Sequence, residues 1–228
     1  MAAVLGLAVI LVLFLPYLRP HPASRYTVTD LGVLPGDTKS GTFAINSRGA
    51  VCGYTQAINK RACVFQNGTI TVSIGPLPRL AESLARGINA QGTVPGDFGA
   101  APAEQAFVFQ KGRMIALGTL PGFSDSRGVA INTAGEVVGQ VMLSAPRGPF
   151  TEHAFVYRQG KMTDLGASLG GDSEARSINS LGQVVGFYSP RTGQVIRAPF
   201  LYDLRRKTMT TLPLPASCLQ VTRTQSTI

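Results

Sequence analysis

Four acidic side chains recur at similar places along this sequence, and repeated loop carboxylates are the first candidates for chemistry. Asp37, Glu82, Asp125 and Asp172 fall in the segments "LPGDTKS", "LPRLAES", "LPGFSDS" and "LGGDSEA". If these loops converged, their oxygens could coordinate calcium. Asp-Thr and Asp-Ser pairs also form Asx and Ser/Thr turns. The turn interpretation is favoured, and we predict no metal site and no cofactor.

Histidine is scarce, which limits acid–base chemistry. The sequence has only His21 and His153, so a Ser-His-Asp arrangement could rest only on His153. No phosphate-binding glycine loop, zinc signature or EF-hand loop is present. We therefore predict no catalytic residue and a non-enzymatic protein. The alternative that stays open is an enzyme acting on extracellular glycans through the loop acids.

Basic side chains cluster in three of four similar turns, "QKGR", "RQGK" and "LRRK", and the net charge is +9. The cations are Lys111, Arg113, Arg158, Lys161, Arg205, Arg206 and Lys207. Such a rim could hold an anionic polymer by counterion release. No aromatic platform is interleaved with it, which argues against single-stranded nucleic acid. The candidate partners are a cell-surface polysaccharide or another protein, but the simpler interpretation of a solvated rim is favoured, and the partner stays unknown.

Three cysteines are too few for a disulfide framework. Cys52 and Cys63 fall on successive short strands, so a bridge is conceivable in an oxidising compartment. A two-residue turn at Ile58-Asn59 would set Cys63 opposite Tyr54 and leave Cys52 diagonal to it. We therefore favour unpaired cysteines.

The secondary-structure elements that must position these groups can be predicted from a sequence motif, Ile-Asn-x-x-Gly, that occurs four times. Its asparagines are separated by 43, 43 and 47 residues, a period typical of repeat proteins. Asn at the first position of a type I turn and Gly at the fourth predict a hairpin loop, not a site. The turn residues are Asn46, Gly49, Asn89, Gly92, Asn132, Gly135, Asn179 and Gly182. A second glycine, at 53, 96, 139 and 186, predicts a bulge or a close backbone approach.

Each repeat predicts four short strands, so the fold class is all-β. Four strands in about 43–47 residues are typical of a β-propeller blade. The predicted units are about 33–75, 76–118, 119–166 and 167–213. An extra strand, Tyr26–Gly32, matches the fourth strand of a unit and leaves closed and incomplete rings both open. An incomplete ring would expose blade faces and favour self-association.

The repeat columns resemble the HAF repeat family of probable extracellular proteins. The resemblance rests on "AFVYRQGKMTDLGASLGGDSEARSINSLGQVVGF" from Ala154 and "AFVFQKGRMIALGTLPGFSDSRGVAINTAGEVVGQ" from Ala106, and covers residues 26–213. It implies export and a propeller-like fold, and it supplies no catalytic residue. Family repeats often carry Trp where this chain has Phe65, Phe109, Tyr157 and Tyr202. A truncated, non-functional member is a further alternative.

The N-terminal segment is apolar, with no charge from Ala2 to Leu18. Residues 1–25 are predicted to be a signal peptide or a membrane anchor. The protein would then be secreted, or held by residues 2–18 on the extracytoplasmic side. Residues 214–228 match no repeat column and are predicted to be an irregular tail.

Overall fold

The computed structural model describes residues 26–74, 82–100, 102–143, 150–190 and 197–212. The chain divides into two units, Met1–Asp30 and Leu31–Ile228. Of the first unit the structure describes only residues 26–30, which form no helix or strand. Predictions for the leader, the C-terminal tail and Cys218 lie outside the described residues. Within the described ranges, no helix combines the length and apolar character needed to cross a bilayer.

The described residues of the second unit form four antiparallel four-stranded sheets, in each of which neighbouring strands are consecutive in the chain. Sheet 1 contains β1 (Lys39–Ile45), β2 (Val51–Gln56), β3 (Lys60–Gln66) and β4 (Thr69–Ser73). Sheet 2 contains β5 (Glu82–Ala85), β6 (Val94–Gly99), β7 (Gln105–Gln110) and β8 (Arg113–Gly118). Sheet 3 contains β9 (Asp125–Ile131), β10 (Val137–Leu143), β11 (Thr151–Arg158) and β12 (Lys161–Asp164). Sheet 4 contains β13 (Gly171–Ile178), β14 (Gln183–Pro190), β15 (Ala198–Asp203) and β16 (Thr208–Thr211).

The all-β class is confirmed, and helical structure in the described residues is confined to a 3-10 turn at Gly166–Ser168. The predicted strand at residues 26–32 is wrong, because that segment forms no strand. The extra strand predicted before the first repeat is therefore absent from the described residues, and the first sheet begins at Lys39.

The Ile-Asn-x-x-Gly phrase forms the turn between the first and second strands of each sheet. In sheet 3, Asn132 Oδ1 accepts hydrogen bonds from the main-chain N–H groups of Ala134 and Glu136, both at 3.0 Å. Gly135 has φ +80° and donates to the Asn132 carbonyl at 3.1 Å. Glycine is needed because a side chain is strained at this φ. The side-chain oxygen thus closes the turn that the sequence pattern predicts.

The second glycine of each repeat marks a close approach of two strands, as predicted. A Cβ at Gly139 would lie 1.9 Å from the carbonyl oxygen of Arg127 and 3.1 Å from the ring of Phe155. Gly53, Gly96 and Gly186 face the preceding strand in the same way, with a main-chain oxygen 2.0 Å from the added Cβ. No larger residue fits without moving a main chain.

The hydrophobic core lies between consecutive sheets. Ile88 of sheet 2 packs with Ala50 and Cys52 of sheet 1, and Ile178 of sheet 4 packs with Val138 and Ala154 of sheet 3. A third cluster joins sheets 2 and 3 through Ala106, Val108, Val137, Val141 and Phe155. The first strands of sheets 2 to 4 are thus covered by the preceding sheet, which provides the stacking that blade-sized units need.

An asparagine ladder crosses these three junctions. The Nδ2 groups of Asn46, Asn89 and Asn132 each donate to the main-chain oxygen of the next repeat's asparagine, at 3.0, 3.0 and 3.2 Å. Asn179 instead donates to Gln183 Oε1 in its own turn. The repeated asparagine therefore has a second role, holding successive sheets together.

A serine column makes a parallel set of bonds. Ser83, Ser126 and Ser173 are buried, and each hydroxyl accepts the N–H of an alanine on the third strand of the preceding sheet. The donors are Ala62, Ala106 and Ala154, at 2.9, 2.8 and 3.0 Å. This column was not predicted from the sequence, although serine stands six residues before every repeated asparagine.

The two end sheets lack this cover. Ile45 of β1 is 67% exposed, whereas its equivalents Ile88 and Ile178 are 9% and 8% exposed. On sheet 4, Val185 is 43% exposed, whereas the equivalent Val138 is fully buried.

Sheet 4 also lacks the N–H that joins the other sheets to their successors. Pro199 pairs with Phe187, in the register where Ala154 pairs with Gln140. Proline has no N–H to donate. Sheet 4 therefore cannot bond to a following serine as sheets 1 to 3 do.

The cysteine register differs from the one predicted. The loop between β2 and β3 has three residues, because Gln56 pairs with Lys60, and Cys63 then faces Gly53. Cys52 faces Val64 instead. Adjacent positions on a strand point to opposite faces, so the two thiols diverge, and both are free and buried.

Candidate binding sites

The seven cations of the predicted rim are exposed and lie at the turns between third and fourth strands. Lys111-Gly112 and Gln159-Gly160 form two-residue turns in which both residues have positive φ, as type I′ hairpins require. Arg158 Nε lies 3.3 Å from Glu136 Oε1, beside the Asn132 turn. The basic turns and the asparagine turns therefore share one end of the sheets.

The four loop acids do not converge on a metal. Glu82, Asp125 and Asp172 directly precede the column serines, whereas Asp37 stands two positions earlier in its repeat and accepts hydrogen bonds from Thr55 and Arg61. Among the residues described, no group of three or more His, Cys, Asp or Glu could hold a metal ion. Asp37 contacts its own sheet, whereas Glu82, Asp125 and Asp172 contact the preceding sheet or the residue that leads into it.

Two contacts show this joining role. The main-chain N–H of Glu104 donates to Asp125 at 2.9 Å, and that of Glu152 donates to Asp172 at 3.3 Å. The donor Glu152 lies on the third strand of sheet 3, and the donor Glu104 directly precedes the third strand of sheet 2. The carboxylates act as structural acceptors.

A small cavity of about 160 Å³ lies at the end of sheets 3 and 4 opposite the asparagine turns. Glu152, Asp172, Glu174 and Arg197 line it, together with Phe187 and other residues. Burial, followed by the charge of Glu174, raises the pKa of Glu152 to about 7. Glu152 Oε1 is buried and has no hydrogen-bond partner in the described structure.

Glu174, by contrast, is ionically paired. It accepts hydrogen bonds from the guanidinium groups of Arg176 and Arg197. Arg197 also stacks over the Phe187 ring, with 5.7 Å between its Cζ and the ring centroid. The two carboxyls of this cavity therefore have different surroundings: Glu174 contacts two arginines, whereas Glu152 Oε1 has no hydrogen-bond partner in the described structure.

A second cavity, of about 490 Å³, is lined by the first strands of sheets 1, 3 and 4 and by the segment that directly follows β5 in sheet 2. Its walls are residues 43–44, 86–88, 129–131 and 176–178. We call it the inner cavity. Every wall segment is the stretch directly before a repeated asparagine, so the cavity is built from equivalent positions of four repeats.

The His153 side chain contacts Asp164 and Phe123. Its Nδ1 lies 2.9 Å from Asp164 Oδ2, and its ring centroid is 5.0 Å from that of Phe123. The strand register aligns His153 with Arg61, Gln105 and Ala198 of the other sheets. The histidine position therefore varies from sheet to sheet.

The surroundings of the two buried thiols, Cys52 and Cys63, make them poorly reactive. Burial raises the pKa of Cys52 and of Cys63 to about 12. Since the thiolate is the reactive form, neither cysteine is a candidate nucleophile.

The chain was compared with known proteins. No family model matches it. A search of curated proteins likewise finds no match.

Proposed function

We propose that this protein is an exported, non-enzymatic binding scaffold whose four sheets are arranged as propeller-like blades and whose basic rim holds an anionic polymer. The single observation that carries the proposal is the rim: three successive sheets present exposed cations at equivalent turns, at one end. An anionic cell-surface polysaccharide is the partner that suits such a surface.

The blade arrangement is supported by the inner cavity. In a propeller the sheets surround a central channel, and here residues at or directly after the first strand of each of four sheets contribute walls to a single cavity. The stacked cores and the asparagine ladder fix the spacing from one basic turn to the next. The resemblance to HAF repeats and the apolar N-terminal segment support export.

The rim is tested with alginate, a polyuronate, by measuring the dissociation constant at several salt concentrations. The variant Lys111→Gln/Lys161→Gln/Lys207→Gln should bind more weakly, and its log–log salt slope should fall by about one unit per cation removed. Lys39→Gln is the control, because Lys39 is also exposed but lies at the opposite end of sheet 1. Equal slopes for the triple variant and wild type would refute rim binding.

A second candidate function, glycoside hydrolysis, is favoured by the cavity at Glu152. Acid–base catalysis by two carboxyls requires one that carries a proton and one that stays ionised. Burial and the charge of Glu174 raise the pKa of Glu152, which suits the proton-carrying role, and the neighbouring Glu174 carboxyl contacts two arginines. Phe187 supplies an apolar wall for a sugar ring.

This second function is tested with a panel of 4-nitrophenyl glycosides near pH 6. Hydrolysis by wild type that is lost in Glu152→Gln and in Glu174→Gln would support it. Activity that persists in both variants, or no hydrolysis of any glycoside in the panel by folded protein, would count against it.

A further inference from the structure

The inner cavity carries an inference independent of the rim, because it concerns a different surface. Each first strand has one extra residue at the cavity, so that two residues oppose one on the second strand. The register skips from Thr42 to Ala44 in sheet 1 and from Ala175 to Ser177 in sheet 4. The extra residues there are Phe43 and Arg176.

The same bulge occurs in the two middle sheets. In sheet 3, Val138 pairs with Ala130 and Gly139 with Gly128, which leaves Val129 as the extra residue. In sheet 2, the N–H groups of Arg86 and Gly87 both donate to the Pro95 carbonyl. Bulges redirect a side chain and are frequent beside functional sites.

The four bulge residues differ, although the positions around them are nearly constant. Asparagine follows each of them by three residues, and a close-approach glycine lies opposite. The bulge itself holds Phe43, Arg86, Val129 or Arg176. The turn and the close strand approach account for the constant asparagine and glycine. The bulge positions, by contrast, alternate between apolar and cationic side chains around one cavity.

Both arginines are anchored by buried acids. Arg86 pairs with Asp97, whose side chain is 4% exposed, and lies over the Phe43 ring with 5.5 Å from its Cζ to the ring centroid. Arg176 contacts Glu174 at 2.8 Å, and the side chain of Glu174 is 6% exposed. These acids are absent from the cavity walls described. The arginine side chains are thus positioned by their partners, and no carboxylate in the described walls opposes an anion.

From this geometry we infer that the inner cavity binds a small organic anion, with its acid group at the Arg86 and Arg176 guanidinium groups and its apolar body against Phe43, Val129 and the neighbouring isoleucines. Guanidinium groups form strong charge-assisted hydrogen bonds with carboxylate and phosphate. The volume of about 490 Å³ is within the range of small-molecule sites.

Isophthalate, an aromatic dicarboxylate, is the probe, and isothermal titration calorimetry on the full chain is the measurement. Arg176→Gln is the first variant, since the Arg176 side chain is 52% exposed and Glu174 keeps its contact with Arg197. We expect binding at least about tenfold weaker than wild type, the loss that follows from one charge-assisted contact. Val129→Phe, which fills part of the cavity without altering charge, should weaken binding as well.

Arg205→Gln is the matched control, because it removes the same charge from the exposed rim. It should leave the isophthalate affinity unchanged, and the uncharged isophthalamide should bind wild type at least tenfold more weakly than isophthalate. Equal affinities in wild type, Arg176→Gln and Val129→Phe would overturn the inference. A loss in Arg205→Gln as large as in Arg176→Gln, or no isophthalate binding by folded wild type, would overturn it too, whatever the result with alginate.

Discussion

The side-chain amide of Asn89 donates to the main-chain oxygen of Asn132 at 3.0 Å, across 43 residues of chain. The same asparagine side chain closes its own hairpin, since Asn89 Oδ1 accepts from the N–H groups of Gln91 and Thr93. One residue type therefore shapes the turn and joins successive sheets, which explains why the phrase is repeated so closely.

Asn132→Ala should destabilise the protein more than Asn179→Ala, by about 1 kcal/mol of unfolding free energy. Both side chains accept two turn N–H groups, and both amides bond to the side chain four residues on, Glu136 or Gln183. Only Asn132 also bonds to the next sheet. Urea unfolding of both variants measures the difference, and equal losses would show that the ladder adds nothing.

Two glycines of sheet 3 should respond differently to alanine. Gly135→Ala should cost about 1 kcal/mol, because φ is +80° but nothing lies within 4 Å of the added Cβ. Gly139→Ala should cost about 3 kcal/mol or more, because its Cβ would overlap the Arg127 carbonyl oxygen. Thermal and urea unfolding would check the order, and a Gly139→Ala variant as stable as Gly135→Ala would disprove the close approach.

Ser126→Ala should destabilise by about 1–3 kcal/mol, because it leaves the buried N–H of Ala106 and the Gly118 carbonyl without their hydroxyl partner. Ser40→Ala is the matched control, since Ser40 stands at the equivalent position of sheet 1 but is exposed. Its effect should stay within about 0.5 kcal/mol. A comparable loss in both variants would mean that the serine column has no part in joining sheets.

Much of the fold follows from local sequence. Asn132 and Gly135 define their turn without help from distant residues, because the side-chain acceptor and the positive φ both act within one four-residue segment. The glycine at 139 predicts a close approach for a similar reason. Short strands separated by such turns then predict an antiparallel meander of four strands.

Relations between repeats were harder to predict. The bond from Ala106 to Ser126 spans 20 residues, and its signal is a serine at a constant distance from the asparagine, visible only after the repeats are aligned. The prediction of the cysteine register was wrong because the β2–β3 loop has one residue more than predicted, and this shifts every pair between β2 and β3. The bulge at Arg176 has no residue signature of its own, so the inner cavity was not predicted.

Stability should depend on pH through Glu152. Its pKa in the folded protein is raised from 4.5 to about 7 by burial and by the charge of Glu174, with Asp172 adding to the shift and Arg197 and Arg176 opposing it. A raised carboxyl pKa means that the folded state binds the proton more tightly. The contribution of this group is therefore most favourable below about pH 4.5 and is lost as pH rises through about 7.

Glu152→Gln should remove that loss, so the melting temperature of the variant relative to wild type should increase from pH 5 to pH 8. Differential scanning calorimetry at both pH values measures it. A pH-independent difference would contradict the raised pKa. Lys161→Gln serves as a control for the effect of changing one charge, because Lys161 is exposed and lies on a different strand.

The uncovered end sheets should make the protein self-associate. Ile45 and Phe43 on β1 and Val185 and Phe187 on β14 are exposed apolar side chains, and such patches favour association. Residues 26–228, expressed alone, should show an average mass that rises with concentration by light scattering. Ile45→Asp should reduce this rise, whereas a monodisperse wild-type monomer with cooperative unfolding would rule it out.

Pro199 has a consequence for how an array of this kind could lengthen. A duplicated copy of sheet 2 or sheet 3, inserted beside its parent, would bring both an alanine N–H and a serine hydroxyl, and so could join neighbours on either side. A duplicated copy of sheet 4 would bring the proline, and whatever followed it would dock with one hydrogen bond fewer. Duplication of sheet 2 or sheet 3 thus keeps every junction bond, whereas a sheet docked after the fourth repeat loses one.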